Sequence, residues 1–252
     1  MRIKEKLDSL RKKYIEFLIN DPGGPFTVIS NLNWERHLRG VESVLDFVPK
    51  NGRILDVGCG GGHTTCISKI LRDDIDIFGL DIEKKYFWKE FTNYNVNFLL
   101  CNVENSCFKD QIFDVVISFG VIEHTKNPDN FLKEIRRMLK NNGYFFVFDL
   151  PTKYSFSEAF LARIIQIFSG KKLFFHERRY TKKEVESLFS RNGFSVSIKE
   201  EFFIPTQIDR VSRFLGEIFN KNYKKIDKID KLILKTPIKF FSQSFMLQAK
   251  KL

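Results

Sequence analysis

The segment Ile54-Leu-Asp-Val-Gly-Cys-Gly-Gly-Gly62 places four glycines directly after a short apolar run. Gly58 and Gly60 carry no Cβ, so the main chain there can approach a ligand closely. The dinucleotide fingerprint needs a third glycine where this chain has His63, and the G-x-x-x-x-G-K-[ST] phosphate loop is absent. Phosphate cradling is therefore disfavoured. Asp81, at the end of the next apolar run, has the chemistry to accept both hydroxyls of a ribose, although an aspartate there also suits a helix N-cap. Asn102 and Val103 follow a third run and offer a polar side chain and a backbone N–H to a purine edge. Ser118 ends a fourth. Glu123 and His124 come next. An imidazole titrates near neutrality and is suited to take a proton from a hydroxyl. The alternative is that the pair is structural, with Glu123 bonding loop backbone. His176, Arg178, Arg179 and Tyr180 form a second polar group, suited to substrate contact or to solvation. His37, beside Trp34, is read as a histidine packed at the core edge. His63 is read as the first residue of a helix, and Cys59 as a small apolar filler within the turn. No grouping has metal-ligand spacing, so no metal is expected.

The elements that position these residues follow from periodicity. Ile54–Val57, Ile75–Leu80, Val96–Leu100, Asp114–Phe119 and Tyr144–Phe148 are short apolar runs that predict strands. Helical patterns over 63–71, 83–91 and 129–140 lie among them, with Asn141-Asn142-Gly143 as a C-cap in which Gly143 takes the left-handed conformation. This alternation predicts βαβ units, a parallel sheet and helices on both faces. Before it, residues 1–20 and 33–47 read as helices separated by Asp21-Pro-Gly-Gly-Pro25. After it, 156–168, 181–191, 211–219 and 221–235 read as helices, the second opening on a Thr181/Glu184 capping box. Residues 194–203 and 245–250 read as strands.

With 252 residues, 43% apolar and 29% charged, the chain has a globular composition and room for one large α/β domain with an appendage. No apolar run reaches the roughly 18 residues of a spanning helix. The N-terminus lacks the pattern of a secretory signal. Four cysteines without CxxC spacing imply reduced thiols and a cytoplasmic location. The formal charge of +11 is uneven: residues 51–150 carry 12 basic and 14 acidic side chains, and residues 151–252 carry 21 and 10.

Together the motifs resemble the class I S-adenosylmethionine-dependent methyltransferases, in particular the type 11/12 and ubiquinone-biosynthesis-like O-methyltransferase groups. LDVGCGGG (55–62), GLDIE (79–83), CNVENSCF (101–108), DVVISFGVIEH (114–124) and PDNFLKEIRRMLKNNGYFFVFDLP (128–151) carry the resemblance almost without a break. HERRYTKKEVESLFSRNGF (176–194) resembles a common downstream element. The resemblance implies a Rossmann-like seven-stranded α/β sheet whose last strand runs antiparallel between two others. It implies that Gly58, Cys59 and Gly60 lie under the methionine part of S-adenosylmethionine, with Asp56 near its amino group and Ser118 near its methionine end. It places Asp81 and Ile82 at the ribose, and Asn102 and Val103 at the adenine. The family usually has aspartate where this chain has Asn102, whose amide carbonyl still accepts a hydrogen bond. His124 and Glu123 are the expected catalytic pair, and His176, Arg179 and Tyr180 the expected substrate contacts.

Relative to a minimal family member, residues 1–49 read as a helical cap. Residues 50–252 read as the methyltransferase domain, with amphipathic helical insertions at about 152–175 and 204–242. Both insertions set lysine or arginine beside bulky apolar residues. They suit a membrane interface, a substrate lid, or burial against the core. The first lies where ubiquinone-biosynthesis-type enzymes carry a membrane-contacting segment. The expected acceptor is a small molecule or a lipid-linked compound, methylated on oxygen at or near an anionic membrane surface. RNA methylation through the basic C-terminal part is the alternative. Against it, Ser118-Phe-Gly-Val replaces the N-P-P-Y-like tetrapeptide of many base methylators. A cofactor-binding scaffold without turnover is a third reading.

Overall fold

The computed structural model describes residues 2–20, 30–85, 87–155, 167, 178–204 and 213–252. Seven strands form one sheet: β1 Arg53–Val57, β2 Asp76–Asp81, β3 Asn97–Leu100, β4 Phe113–Phe119, β5 Leu139–Pro151, β6 Phe194–Glu200 and β7 Ser244–Lys251, in the order β3-β2-β1-β4-β5-β7-β6. β1 to β5 are mutually parallel. β7 runs antiparallel between β5 and β6, as the resemblance implies. The described helices are α1 Ile3–Asn20, α2 Ser30–Val44, α3 His63–Leu71, α4 Trp88–Phe91, α5 Pro128–Met138, α6 Lys182–Arg191, α7 Arg213–Lys221 and α8 Tyr223–Ile233.

Alternation along the central strands divides the core into two layers. Ile54, Ile77, Val115, Ile117, Phe146 and Phe148 point to one face and pack with Leu10 and Tyr14 of α1, Trp34, Val41 and Val44 of α2, and Ile67 of α3. Leu55, Val57, Val116, Phe145 and Val147 point to the other, against Phe131, Leu132 and Ile135 of α5 and Val185, Leu188 and Phe189 of α6. A strand covered on both faces must be apolar at consecutive positions, which is why β4 reads as an unbroken run. α7 and α8 form a further layer over α2, where Leu32, Phe219, Tyr223 and Ile226 share a small cluster.

Three expectations are corrected at element boundaries. α5 stops at Met138, and β5 begins at once with Leu139. Phe113 pairs with Leu139 but Val115 pairs with Tyr144, so residues 140–143 bulge out of the strand. The left-handed residue there is Asn142, at φ 61°, and not Gly143. Gly143 is required for a different reason, because a Cβ would stand 3.0 Å from the carbonyl oxygens of Asp114 and Lys140. The helix expected over 83–91 is reduced to α4, Trp88–Phe91. The insertion expected at 152–175 lies, apart from residues 152–155 and 167, outside the described residues, and so does the helix expected over 156–168.

Candidate active site

β1 ends at Val57, and the chain turns sharply between the C-terminal ends of β1 and β2. Gly58 and Cys59 both donate their N–H groups to the Leu80 carbonyl, at 2.7 and 3.1 Å. The turn then feeds α3. Gly58 and Gly60 have φ of 66° and 51°, a region that side chains with a Cβ enter at a cost. A Cβ on Gly58 would meet Val121 at 2.4 Å, whereas a Cβ on Gly60 would meet nothing within 4 Å. Two side chains brace the turn from outside. Trp88 donates its indole N–H to the Gly60 carbonyl at 2.9 Å. Asp81 accepts from the Gly60 N–H at 2.8 Å and from the Glu83 N–H at 3.0 Å, one through each carboxylate oxygen. A carboxylate has about four acceptor sites, so capacity remains for hydroxyl donors.

Beside this turn lies a cavity of about 710 Å³. Gly58, Asp81, Ile82, Asn102, Val103 and His124 line it, together with Gly120 and Val121 from the loop after β4. Residues separated by more than 60 positions thus meet at the C-terminal ends of adjacent parallel strands, where open α/β sheets bind their ligands. Asn102 caps a short 3₁₀ turn, its side-chain oxygen accepting from the Glu104 N–H at 3.0 Å. A second lone pair on that oxygen and the amide N–H₂ remain for a ligand.

Four expected residues are not among those that line the cavity. Asp56 is buried and accepts from the hydroxyls of Thr64 and Thr65 at 2.6 and 2.7 Å. Burial pushes its pKa up to about 6, and the two threonine hydrogen bonds oppose the rise. Its carboxyl fastens the start of α3 beneath the turn. Cys59 packs its sulfur toward Gly79 and is buried, which pushes the thiol well up. Gly60 shows its carbonyl to Trp88 and its N–H to Asp81. Ser118 is fully buried opposite Val57, and its Oγ has no hydrogen-bond partner among the described residues.

Glu123 and His124 belong to a 3₁₀ turn, Ile122–His124, with very different exposure. His124 is half exposed and lines the cavity, whereas Glu123 is buried. His124 Nε2 and Glu123 Oε1 are 3.9 Å apart. Burial, with a smaller contribution from Asp149, raises the Glu123 pKa to about 8; a hydrogen bond from its own main-chain N–H opposes the shift. Glu123 is therefore a neutral acid at pH 7, placed behind the imidazole.

Arg179 and Tyr180 line a separate, more open hollow of about 560 Å³ between the N-terminal ends of α5 and α6, with Pro128, Asp129 and Lys183. The structure does not bring them to the cavity of Gly58 and His124. His176 lies outside the described residues. Arg178 makes the connection instead. Its guanidinium donates to the carbonyls of Thr125 and, at 2.9 Å, Lys126, two residues of the loop that carries His124. Sequence reasoning placed Arg178 within a polar group suited to substrate contact or solvation, but not among the expected substrate contacts His176, Arg179 and Tyr180. Its signal, a basic residue three before a capping box, is common to many solvated turns.

His37 and His63 form a part-buried pair, with His63 Nε2 2.7 Å from His37 Nδ1. One must donate and the other accept, so the two cannot both be charged in this arrangement. Burial lowers the His37 pKa to about 4 and moves His63 well below its ordinary value. Tyr14 stacks on His63 at 4.2 Å, and His37 meets Phe119 edge-on at 5.1 Å. The pair therefore ties α1 and α2 to the residue that follows the glycine turn.

Residues 55–147 match the methyltransferase domain family. The chain is 28% identical over 160 residues to the ubiquinone biosynthesis O-methyltransferase of Pelagibacter ubique, a match that covers 56% of this chain and 65% of that relative. It therefore spans just under two thirds of that relative's length. It is 30% identical over 247 residues to an uncharacterized protein of Methanocaldococcus jannaschii, covering 88% of this chain and 87% of the relative. Among solved structures, phosphoethanolamine N-methyltransferase 2 of Haemonchus contortus in complex with S-adenosylmethionine superposes with a TM-score of 0.58 at 18% identity. That superposition covers 97% of this chain and 57% of the other.

Proposed function

The chain belongs to the class I S-adenosylmethionine-dependent methyltransferases, and on that premise we propose that it methylates an oxygen of a small-molecule or lipid-linked acceptor in the cytoplasm. S-adenosylmethionine is the cofactor. When bound, it supplies a methyl group activated by a sulfonium leaving group. The residues present fit it. A carboxylate with spare acceptor capacity (Asp81), a purine-sized edge of polar and apolar groups (Asn102, Val103, Ile82) and a turn without Cβ atoms (Gly58) share one cavity.

The observation that carries the reading is the presence of His124 on the same cavity wall as Gly58 and Asp81. A sulfonium is a good leaving group, so the protein's share of the work is alignment and exclusion of water. A hydroxyl acceptor needs one thing more, removal of its proton, and His124 is the cavity-lining group suited to take it. Neutral Glu123 lies 3.9 Å from the resulting imidazolium. The oxygen acceptor is further supported by the Pelagibacter relative, whose name specifies O-methyl transfer.

Isothermal titration with the cofactor, alongside Asp81→Ala, tests the site. Loss of hydrogen bonds to a carboxylate, each worth ~1.5–3 kcal/mol, should weaken binding by roughly tenfold or more. Thermal melts monitor whether the turn survives loss of the Asp81–Gly60 bond. Transfer of a labelled methyl group to small-molecule, lipid and RNA fractions, with His124→Asn as control, tests the chemistry. Label in an alkali-stable ether of a small-molecule or lipid product, reduced in the His124 variant, supports the reading. Label confined to amines or to RNA overturns it.

A further inference from the structure

α7 and α8 rest on α2 by their inner faces. Asn220 of α7 accepts from the Asn31 N–H at 3.0 Å, and Gly216 is turned inward. On α8, Asp230 pairs with Arg36 at 3.3 Å and Asp227 with Arg39 at 2.6 Å, while Ile226, just before Asp227, is buried. Because both helices lie on the same helix, their outer faces look away from the sheet.

Those outer faces are apolar. Phe214 and Ile218 are one helical turn apart on α7, with Phe214 69% exposed. Ile229 and Leu232 are three apart on α8, with Leu232 54% exposed. The 3₁₀ turn that follows, Pro237–Phe241, exposes Ile238, Phe240 and Phe241, and Phe240 stacks on the half-exposed Tyr154 at 5.1 Å. A single exposed apolar side chain is ordinary. Eight large ones between residues 214 and 241 are a concentration that marks an interaction surface.

The charge of the same segment says what covers it. Seven lysines between 221 and 239, Lys224, Lys225 and Lys228 among them, are exposed. Of the acidic groups of α8, Asp230 faces Arg36 and Asp227 is shared by Arg39 and Lys231; against Glu217, exposed on α7, the seven exposed lysines leave the outward charge positive. A second copy of this face would bring lysines against lysines, since a two-fold interface sets the same patch on both subunits. An anionic lipid surface satisfies both features at once: apolar side chains enter the acyl boundary while lysine stems reach up to the head groups. Among the described residues no helix is long and apolar enough to cross a membrane, so contact from one side is the geometry available. We infer that the face formed by α7, α8 and the 237–241 turn docks the protein on an anionic bilayer. The inference holds whichever acceptor is methylated.

Co-sedimentation of the full chain with phosphatidylcholine vesicles, and with vesicles of phosphatidylcholine and phosphatidylglycerol, tests it. The wild type should pellet several-fold more with the anionic vesicles, and less as salt is raised. A variant with Ile218→Ser, Leu232→Ser and Ile238→Ser should remain in the supernatant, and so should one with Lys224→Glu and Lys228→Glu. All three changed apolar positions are exposed, so melting temperature and cofactor affinity should match the wild type. Equal recovery with and without vesicles overturns the inference, as does pelleting of both variants like the wild type. Light scattering that shows a dimer dissociated by the apolar variant would assign the face to self-association and would also overturn it. None of these outcomes depends on methyl transfer.

Discussion

At the scale of single residues, the two glycines of the turn separate two physical costs that sequence alone merges. Gly58 and Gly60 both hold left-handed φ values, but only Gly58 faces another side chain, with Val121 2.4 Å from where its Cβ would stand. Gly60→Ala therefore costs only the conformational penalty, about 1–2 kcal/mol. Gly58→Ala adds overpacking of ~1–3 kcal/mol and pushes the Val121 loop, part of the cavity wall, out of place. The expected result is a modest drop in melting temperature for Gly60→Ala with measurable cofactor binding. Gly58→Ala should show a larger drop and titration heats near baseline. Equal behaviour of the two variants would mean that Val121 yields without cost. The same contrast shows what the sequence could not say about Asp56. Its place in the motif points toward a ligand, whereas Thr64 and Thr65, eight and nine residues on, occupy it with hydrogen bonds inside the protein.

At the scale of elements, the sheet was legible because its strands are covered on both faces and so read as short apolar runs at βαβ spacing. The cavity wall of Gly58, Asp81, Asn102 and Val103 was legible for a related reason: each residue stands just past such a run, where parallel strands present their C-terminal ends. What was not legible depends on long-range geometry. The bulge over 140–143 follows from how β5 registers on β4, and the β4 run itself says nothing of that register. Nor does the capping box of α6 reveal that the preceding Arg178 reaches back 53 positions to the Thr125 carbonyl. That contact makes a prediction. The Arg178 fork holds two successive carbonyls of the His124 loop, and a lysine has one charged centre and no fork. Arg178→Ala should weaken cofactor binding by roughly tenfold, in line with the loss of a charge-assisted hydrogen bond, and should lower kcat as His124 loses its fixed position. Arg178→Lys should recover part of the binding. A merely structural role would lower the melting temperature and leave the affinity of the folded fraction and its kcat unchanged. Titration on thermally intact protein and separate kcat and KM values distinguish the two.

At the scale of the whole molecule, the buried ionisable groups set how stability follows pH, and they do not all pull the same way. His37 and His63 are held neutral below their ordinary value of 6.5. The unfolded chain takes up their protons first, so they favour folding as pH rises to about 7.5 and contribute no further change above it. Asp56, raised from 3.8 to about 6, does the opposite, because the folded state keeps its proton longer; that loss is complete only at about pH 7. Asp129, held near 2 by hydrogen bonds from Arg191 and Asn192, acts only in strong acid. Between about pH 7.5 and 9 these groups have finished titrating, and Glu123 has not. Its pKa rises from 4.5 unfolded to about 8 folded. The folded state therefore binds more protons across that interval, and stability must fall as pH rises through it. Glu201, also pushed well above its ordinary value by burial and then by Asp149, adds in the same direction. Urea midpoints measured from about pH 7.5 to 9 should decline in the wild type. Glu123→Gln keeps the shape of the neutral acid and removes its titration, so its midpoints should decline less steeply and exceed the wild type at pH 9. A wild-type midpoint that climbs over this interval would mean that Glu123 is ionised in the folded protein. It would then stand as a carboxylate behind His124, and the imidazole would be a stronger base than the neutral pair allows.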